Sequence, residues 1–533
     1  MTTELTAKAA ALAAAAALPD PDPAPTVSYR SAGKTAIIGS AADALPWAER
    51  LGALLPVTVL LADAPPAPQP RTFTLIHAPA PRVSGWLGAF SAQWEGGEGQ
   101  FDLVFDLSAT PLIASHQPPQ GYFAPGPDET ERAAMAFSLS ELIGEFEKPK
   151  FFVYKEKLCA HSRNRQPGCN ACIDICSARA IGSAGDRIKV NPYLCAGCGA
   201  CTTVCPSGAL GYAYPSAAYS GQRLQTLLTA YARAGGHAPV ILFHSEGGRA
   251  LLSALDEVPD NVMPVELEHS ASVGIDVWLA AIAYGASGIM LLMTDEEAPA
   301  YRIALQAQMD IAQTVLHGLG YEGRHLRLVH AAGAAQLADA LAQVPNGAVP
   351  AEAASFHVGA EKRNTLDFAL AHLYRHAPVQ VEQVALPAGS PFGAIRVDTA
   401  ACSLCMSCVG ACPSAALMDS PLTPRLSFVE KNCVQCGLCA TTCPEDAITL
   451  VPRLSFADSW NKQVVLHESE PFCCIRCGKP FGTLQAIQNM LGKLAGHPAF
   501  SGNLDRLKMC GDCRVVDMME SKGTPTIVER KRS

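Results

Sequence analysis

Cysteine is the residue type in this chain whose placement could do chemistry. Of 21 cysteines, eight lie between Cys159 and Cys205, eight between Cys402 and Cys443, and five between Cys473 and Cys513; none falls in 206–401. A disulfide framework would spread its thiols to staple separate loops. Groups at two- and three-residue spacings in a long chain instead read as metal sites in a reducing compartment. The most regular pattern is Cys402-x2-Cys405-x2-Cys408-x3-Cys412-Pro413, followed twenty residues later by Cys433-x2-Cys436-x2-Cys439-x3-Cys443-Pro444. Three cysteines at i, i+3 and i+6 in one tight loop can aim three thiolates at three corners of a cuboidal iron–sulfur cluster, and the fourth, opening a short helix, reaches a second cluster. Unligated buried thiols and zinc are the competing readings. The spacing argues against both, since zinc modules normally present two separated CxxC knuckles.

A second pair of runs is related. Cys195-x2-Cys198-x2-Cys201-x3-Cys205-Pro206 follows the pattern fully, whereas its mate reads Cys159-x9-Cys169-x2-Cys172-x3-Cys176-Ser177, with a basic and polar insertion and no proline. On these motifs, residues 151–215 and 395–455 each resemble a two-cluster bacterial-type ferredoxin domain, together about a quarter of the chain. With the fourth cysteine exchanged between clusters, the expected [4Fe–4S] ligand sets are Cys159, Cys169, Cys172 and Cys205; Cys195, Cys198, Cys201 and Cys176; Cys402, Cys405, Cys408 and Cys443; and Cys433, Cys436, Cys439 and Cys412. The departure at Cys159 leaves a three-ligand or [3Fe–4S] centre as the alternative there. The resemblance implies low-potential one-electron transfer.

The last cysteines differ. Cys474-Ile-Arg-Cys477-Gly478-Lys479-Pro480-Phe481 resembles the CxxCGxxF knuckle of zinc ribbons, and Cys510-Gly-Asp-Cys513 would supply the second knuckle across a 32-residue gap holding a helical insert at 484–494. Four thiolates from two turns suit tetrahedral Zn2+; an iron–sulfur centre or a redox thiol role are the alternatives. Cys473 is left over, as a buried small residue or as an alternate ligand or reactive thiol.

The elements that must position these cysteines follow from hydrophobic periodicity. Apolar runs at 35–39, 57–61, 73–77 and 103–107 predict strands of a small open α/β domain over 31–150. Runs at 240–244, 264–268, 289–294 and 326–330, with helical periodicity best developed at 298–319, predict a second α/β domain over 217–350 with a mainly parallel sheet. The full expectation is multidomain α/β and α+β: a tail at 1–30, the first α/β domain, a ferredoxin domain at 151–216, the second α/β domain, a helical linker at 351–394 whose helix 361–375 bridges toward the second cysteine cluster, a ferredoxin domain at 395–455, and a zinc-ribbon-like module at 456–533. Proline- and glycine-containing stretches at 206–220 and 386–393 are expected junctions. Residues 238–330 also resemble the delta subunit of methyl-viologen-reducing hydrogenase, in PVILFHSEGG and MPVELEHSASVGIDVWLAAIAYGASGIMLL. That family carries a [2Fe–2S] centre on cysteines which this region lacks, so only a docking or scaffold role carries over.

Composition excludes other classes. At 533 residues, 49% hydrophobic and 17% charged, with 40 Lys and Arg against 49 Asp and Glu, the chain is globular and carries no basic excess for nucleic acid or anionic membranes. The uncharged stretch 277–294 is interrupted by Gly285 and Gly288 and reads as helix, turn and strand rather than a bilayer span. The Ala-rich N-terminus reads as a short helix or frayed tail rather than a signal peptide, since Glu4 stands with Lys8 and no twin arginine precedes it. A cytoplasmic protein with no integral membrane segment is expected.

Weaker signals have ordinary structural readings. Gly39 and Asp63 sit where a dinucleotide fold would place a glycine and a ribose-binding acid, but GxGxxG is absent. Phe243 to Arg249 could cradle an anion at a helix start, although a plain strand–helix turn is the simpler reading. His244, His269 and His330 near strand ends read as structural, and Arg530-Lys531-Arg532 as a solvated end. No nucleophile triad, paired carboxylates or phosphate-binding loop stands out. The reading is therefore an electron-transfer subunit or carrier with protein redox partners. The architecture resembles multi-cluster proteins found with molybdenum- or tungsten-dependent formate dehydrogenases. The alternatives are a maturation factor for such an enzyme and a flavin- or NAD(P)-linked oxidoreductase with an atypical site.

Overall fold

The structure is a computed structural model that describes residues 6–67, 69–420, 423–494 and 504–520. The chain divides into two compact units, Met1–Cys159 with Asn170–Val381, and Ala160–Cys169 with Glu382–Ser533.

In the first unit, five parallel strands form a sheet in the order Thr74–His77, Val57–Leu61, Thr35–Gly39, Leu103–Asp106 and Tyr122–Phe123. The central strand is buried at every position, as a sheet covered on both faces requires. Helix Ala41–Leu51 covers one face through Ala44, Trp47, Ala48 and Leu51, a stripe at helical spacing. A three-stranded antiparallel sheet, Arg82–Ser84, Phe90–Trp94 and Gly97–Phe101, has no counterpart in the sequence expectations. Its strands are short and partly exposed, so they lack a long apolar run.

A second parallel sheet runs Val262–Glu266, Val240–His244, Gly288–Met293 and Leu326–His330. The strand expected at 264–268 therefore begins two residues earlier, and Pro264 lies within it. Proline is tolerated there because the strand is an edge of the sheet. Helix Ile275–Ala283 is buried at all nine positions and leads through Gly285, at φ +104°, into the buried strand Gly288–Met293. Among the described residues no helix is long and apolar enough to cross a membrane. Helix Pro299–Gly318 starts with proline, whose missing N–H costs nothing at that position. It buries Tyr301, Leu305, Met309, Ala312, Val315 and Leu316.

The Ala-rich segment is a helix, Ala7–Ala16, packed on helix Ala217–Arg233, with Ala11 and Ala15 buried. Lys8 anchors it by donating to the carbonyls of Val258 and Pro259, each at 3.1 Å. Helix Lys362–Arg375, expected to bridge toward the second cysteine group, belongs to the first unit. It packs in the first unit against Ile275–Ala283, because Leu366, Ala369, Leu370 and Leu373 form an apolar stripe that needs a buried partner.

The second unit holds two antiparallel sheets, Gln383–Ala385, Ile448–Ser455 and Gly393–Val397 in one, and Leu417–Met418, Arg425–Phe428 and Val464–Glu468 in the other. A further hairpin pairs Pro471–Cys473 with Pro480–Thr483.

Candidate metal centres

In the first unit, Cys176, Cys195, Cys198 and Cys201 line one small apolar cavity. Three of these come from one loop and the fourth from the preceding run. The loop can wrap because Gly197 (φ +80°) and Gly199 (φ +76°) alternate with residues outside the positive-φ region, and such alternation can turn successive N–H groups toward one point. In the second unit, Cys402, Cys405, Cys408 and Cys443 line another cavity in the same manner. Left-handed residues recur at the same offsets in both loops of that unit, Leu404 and Met406 after Cys402, Gln435 and Gly437 after Cys433.

A second device recurs after each fourth cysteine. Arg179, Gly208, Ala415 and Asp446, three residues beyond Cys176, Cys205, Cys412 and Cys443, are all left-handed. The turn aims the next N–H back at sulfur: Ala180 N donates to Cys176 Sγ at 3.2 Å, and Ala416 and Ala447 N to Cys412 and Cys443 Sγ at 3.3 Å. After Cys205 that role passes to Ser207, whose Oγ accepts from Ala209 N at 3.3 Å and lies 3.7 Å from the sulfur. The serine that replaces proline after Cys176 leaves this turn intact.

Cys159, Cys172 and Cys205 share a core with Phe152, Ile188 and Leu210. Cys169 belongs to the second unit. The insertion before it forms a hairpin, Ser162–Arg163 with Gln166–Pro167, turned by Asn164 and Arg165 in left-handed conformation. Ala160 is buried there with Ala411 and Leu438, and Cys169 and Cys436 pack against them. Gly168 has no room for a side chain, since a Cβ would stand 2.4 Å from the Ala160 carbonyl oxygen. Cys412, Cys433, Cys436 and Cys439 lie close enough to interact electrostatically.

Burial, reinforced by neighbouring thiolates, pushes Cys198 and Cys436 up to about 11 and Cys408 and Cys439 up to about 12. Grouped thiols in an apolar pocket are costly to ionise side by side, and iron that replaces the protons removes that cost. The donor sets that contain Cys198, Cys408 and the Cys436–Cys439 pair fit cuboidal iron–sulfur clusters on this ground.

The last site is tighter. The sulfurs of Cys474, Cys477, Cys510 and Cys513 all lie within 4.8 Å of one another. A tetrahedral Zn–S bond of about 2.3 Å implies sulfurs about 3.8 Å apart, so this group fits a single ion. Cys474 and Cys477 come from a knuckle closed by Gly478 (φ +73°), and Cys510 and Cys513 from the start of helix Gly511–Glu520. Desolvation raises the Cys474 thiol, but N–H groups of Cys510, Cys477 and Arg476 outweigh it and bring it down to about 6. Cys473 is exposed and stands outside the group. The insert expected at 484–494 is helix Leu484–Leu494.

Sequence reasoning missed two residues beside the clusters. Tyr301 Oη lies 3.0 Å from Cys198 Sγ. Lys362 Nζ donates to the carbonyls of Thr202 and Cys205, each at 3.2 Å, and to that of Thr203, placing a half-buried cation at the C-terminal end of the short helix Ala200–Thr203. Neither carries a motif; proximity in the fold is their only signal.

The weaker candidates resolve into ordinary contacts. Asp63 Oδ2 accepts from Ala41 N at 3.1 Å, so it occupies the helix start where a phosphate would bind. In the Phe243–Arg249 turn, Ser245 Oγ donates to the buried Glu297 carboxylate at 3.0 Å, and Ser270 and Thr294 also donate to it. His244 bonds the Ser245 carbonyl at 3.0 Å and His330 meets Asp295 at 2.9 Å. The Arg530–Arg532 tail lies outside the described residues.

Residues 167–209 and 401–448 each match a 4Fe-4S dicluster domain family. With the fold and the cysteine geometry, this defines an iron–sulfur protein bearing two dicluster ferredoxin domains, a class whose work is electron transfer. Over 80 residues the chain is 33% identical to the ferredoxin-type protein NapH of Haemophilus influenzae, covering 13% of this chain and 28% of that relative. The chain thus spans less than a third of the length of the curated relative it matches.

Proposed function

We propose that this protein relays single electrons through four [4Fe–4S] clusters between protein redox partners. The clusters are held by Cys159, Cys169, Cys172 and Cys205; by Cys176, Cys195, Cys198 and Cys201; by Cys402, Cys405, Cys408 and Cys443; and by Cys412, Cys433, Cys436 and Cys439. The observation that carries the reading is the crossing of the fourth cysteine: Cys176 shares a cavity with the 195–201 loop, and Cys443 one with the 402–408 loop. Bound clusters supply reversible one-electron chemistry. The chain's own residues fix the sulfurs with backbone N–H groups, exclude water with the apolar cavity walls, and set each potential by burial and hydrogen bonding. Cys474, Cys477, Cys510 and Cys513 hold a structural zinc.

The thiols belong in a reducing, cytoplasmic setting. The partner chemistry is that of a larger oxidoreductase, for which a formate dehydrogenase is the candidate from the sequence resemblance, with the 217–350 domain as a docking scaffold. Anaerobic purification with metal analysis and EPR tests the proposal. The expected content is about sixteen iron atoms and one zinc per chain, and Cys443→Ser should lower iron to about twelve. A colourless oxygen-free preparation, or iron unchanged in Cys443→Ser, overturns it.

A further inference from the structure

The Cys198 sulfur receives a hydrogen bond from outside its own ferredoxin domain. Elsewhere side chains two residues away meet cluster thiols: Ser207 at 3.7 Å from Cys205, Ser407 at 3.4 Å from Cys405, Ser414 at 3.6 Å from Cys412 and Gln435 at 3.4 Å from Cys433. Tyr301 reaches Cys198 from 103 residues away and at a shorter 3.0 Å. It sits in the first turn of helix Pro299–Gly318, fully buried, with its ring edge-on to His269 at 5.4 Å.

Its single proton has a defined destination. Ser177 Oγ lies 2.8 Å from Gln117 Oε1 and also meets Tyr301 Oη, while Gln117 Oε1 lies 3.4 Å from that phenol. A cysteine bound to iron carries no proton and can only accept. It is also the one anionic acceptor in the group, so the phenol donates to sulfur and the Ser177 hydroxyl turns its one proton to the phenol oxygen and holds it in place. Ser177 is the residue that stands where the regular motif has proline. Proline could supply no hydroxyl here, so the motif's departure and the tyrosine form one device.

We propose that Tyr301, held by Ser177, is a positioning residue that raises the reduction potential of the cluster bound by Cys176, Cys195, Cys198 and Cys201 through a hydrogen bond to Cys198 Sγ, thereby tying that cluster to the central α/β domain. The inference rests on the cluster assignment of the preceding section. Reduction adds negative charge to the cluster and its sulfurs, so a donor at sulfur favours the reduced form more than the oxidised one. Removing the donor must lower the potential.

The test is an anaerobic EPR-monitored redox titration of the holoprotein as wild type, Tyr301→Phe and Ser177→Ala. In Tyr301→Phe, one cluster should show the ratio of reduced to oxidised form at fixed potential falling about tenfold, about 59 mV for one electron, while iron content and the other clusters stay unchanged. Ser177→Ala, which removes no bond to a ligand, should move the same cluster in the same direction by less. Intact iron with all potentials unchanged in both variants overturns the inference and leaves the relay standing. Should Tyr301→Phe lose iron, Ser177→Ala decides alone, and an unmoved potential there makes the tyrosine merely structural. A wild-type protein without clusters defeats the cluster assignment instead.

Discussion

Three residues beyond each fourth cysteine, the backbone turns left-handed whatever the side chain: Arg179, Gly208, Ala415 and Asp446. Left-handed geometry costs a non-glycine residue roughly 1–2 kcal/mol, so the sulfur-directed N–H that follows offsets a real strain. Histidine chemistry is also readable at this scale. Desolvation lowers His269 to about 4, against an ordinary 6.5. The folded state therefore resists the proton that the unfolded chain accepts, and stability falls as pH drops below 6.5 toward 4. Between pH 7 and 5 the loss from this group should be on the order of 2 kcal/mol. Thermal melts of His269→Gln across that range should show a flatter pH dependence than wild type; equal slopes would refute the assignment.

At the scale of elements, the cluster loops are built by alternation of handedness rather than by composition. Gly-x-Gly, Leu-x-Met and Gln-x-Gly adopt one geometry at equivalent positions, so the cysteine spacing demands the turn and the intervening residues comply. The insertion 160–168 disturbs the motif in sequence yet folds into a defined hairpin, with Thr441 Oγ1 donating to the Pro167 carbonyl at 3.4 Å and Leu438 packed beneath. Leu438 is fully buried in this small core. Leu438→Ala should destabilise the second unit by about 2–5 kcal/mol, read as a lower denaturant midpoint. A change below about 1 kcal/mol would mean that the hairpin does not depend on that side chain.

At the scale of the whole molecule, the two kinds of thiol site differ in size and so in the ion they suit. Cavities shared between cysteine runs suit cuboidal clusters, whereas sulfurs within 4.8 Å suit one ion. Replacing Cys510 by Ser should remove about one zinc per chain while leaving about sixteen iron atoms and the visible absorption intact. Loss of iron with the zinc would show that the C-terminal site is not separate. The absence of cysteine from 1–158 and from 206–401 places both parallel sheets outside direct ligation. The helices packed in the second of these domains bring Tyr301 and Lys362 against the first cysteine group.

The cysteine runs, the two parallel sheets and the long helices were legible in the sequence, because metal-ligand spacing and apolar periodicity are local properties of the chain. The three-stranded sheet at 82–101, the two-residue shift of the Val262–Glu266 strand and the docking of Lys362–Arg375 within the first unit were not. Each depends on which neighbour covers a short or half-apolar segment. The same holds for the chemistry. Spacing alone marks thiols that can bind iron, but the donors around them come from 103 residues away, as with Tyr301, or from a side chain in place of a motif proline, as with Ser177. A hydrogen bond across such a separation exists only once burial has packed the two elements together, and no local pattern encodes it.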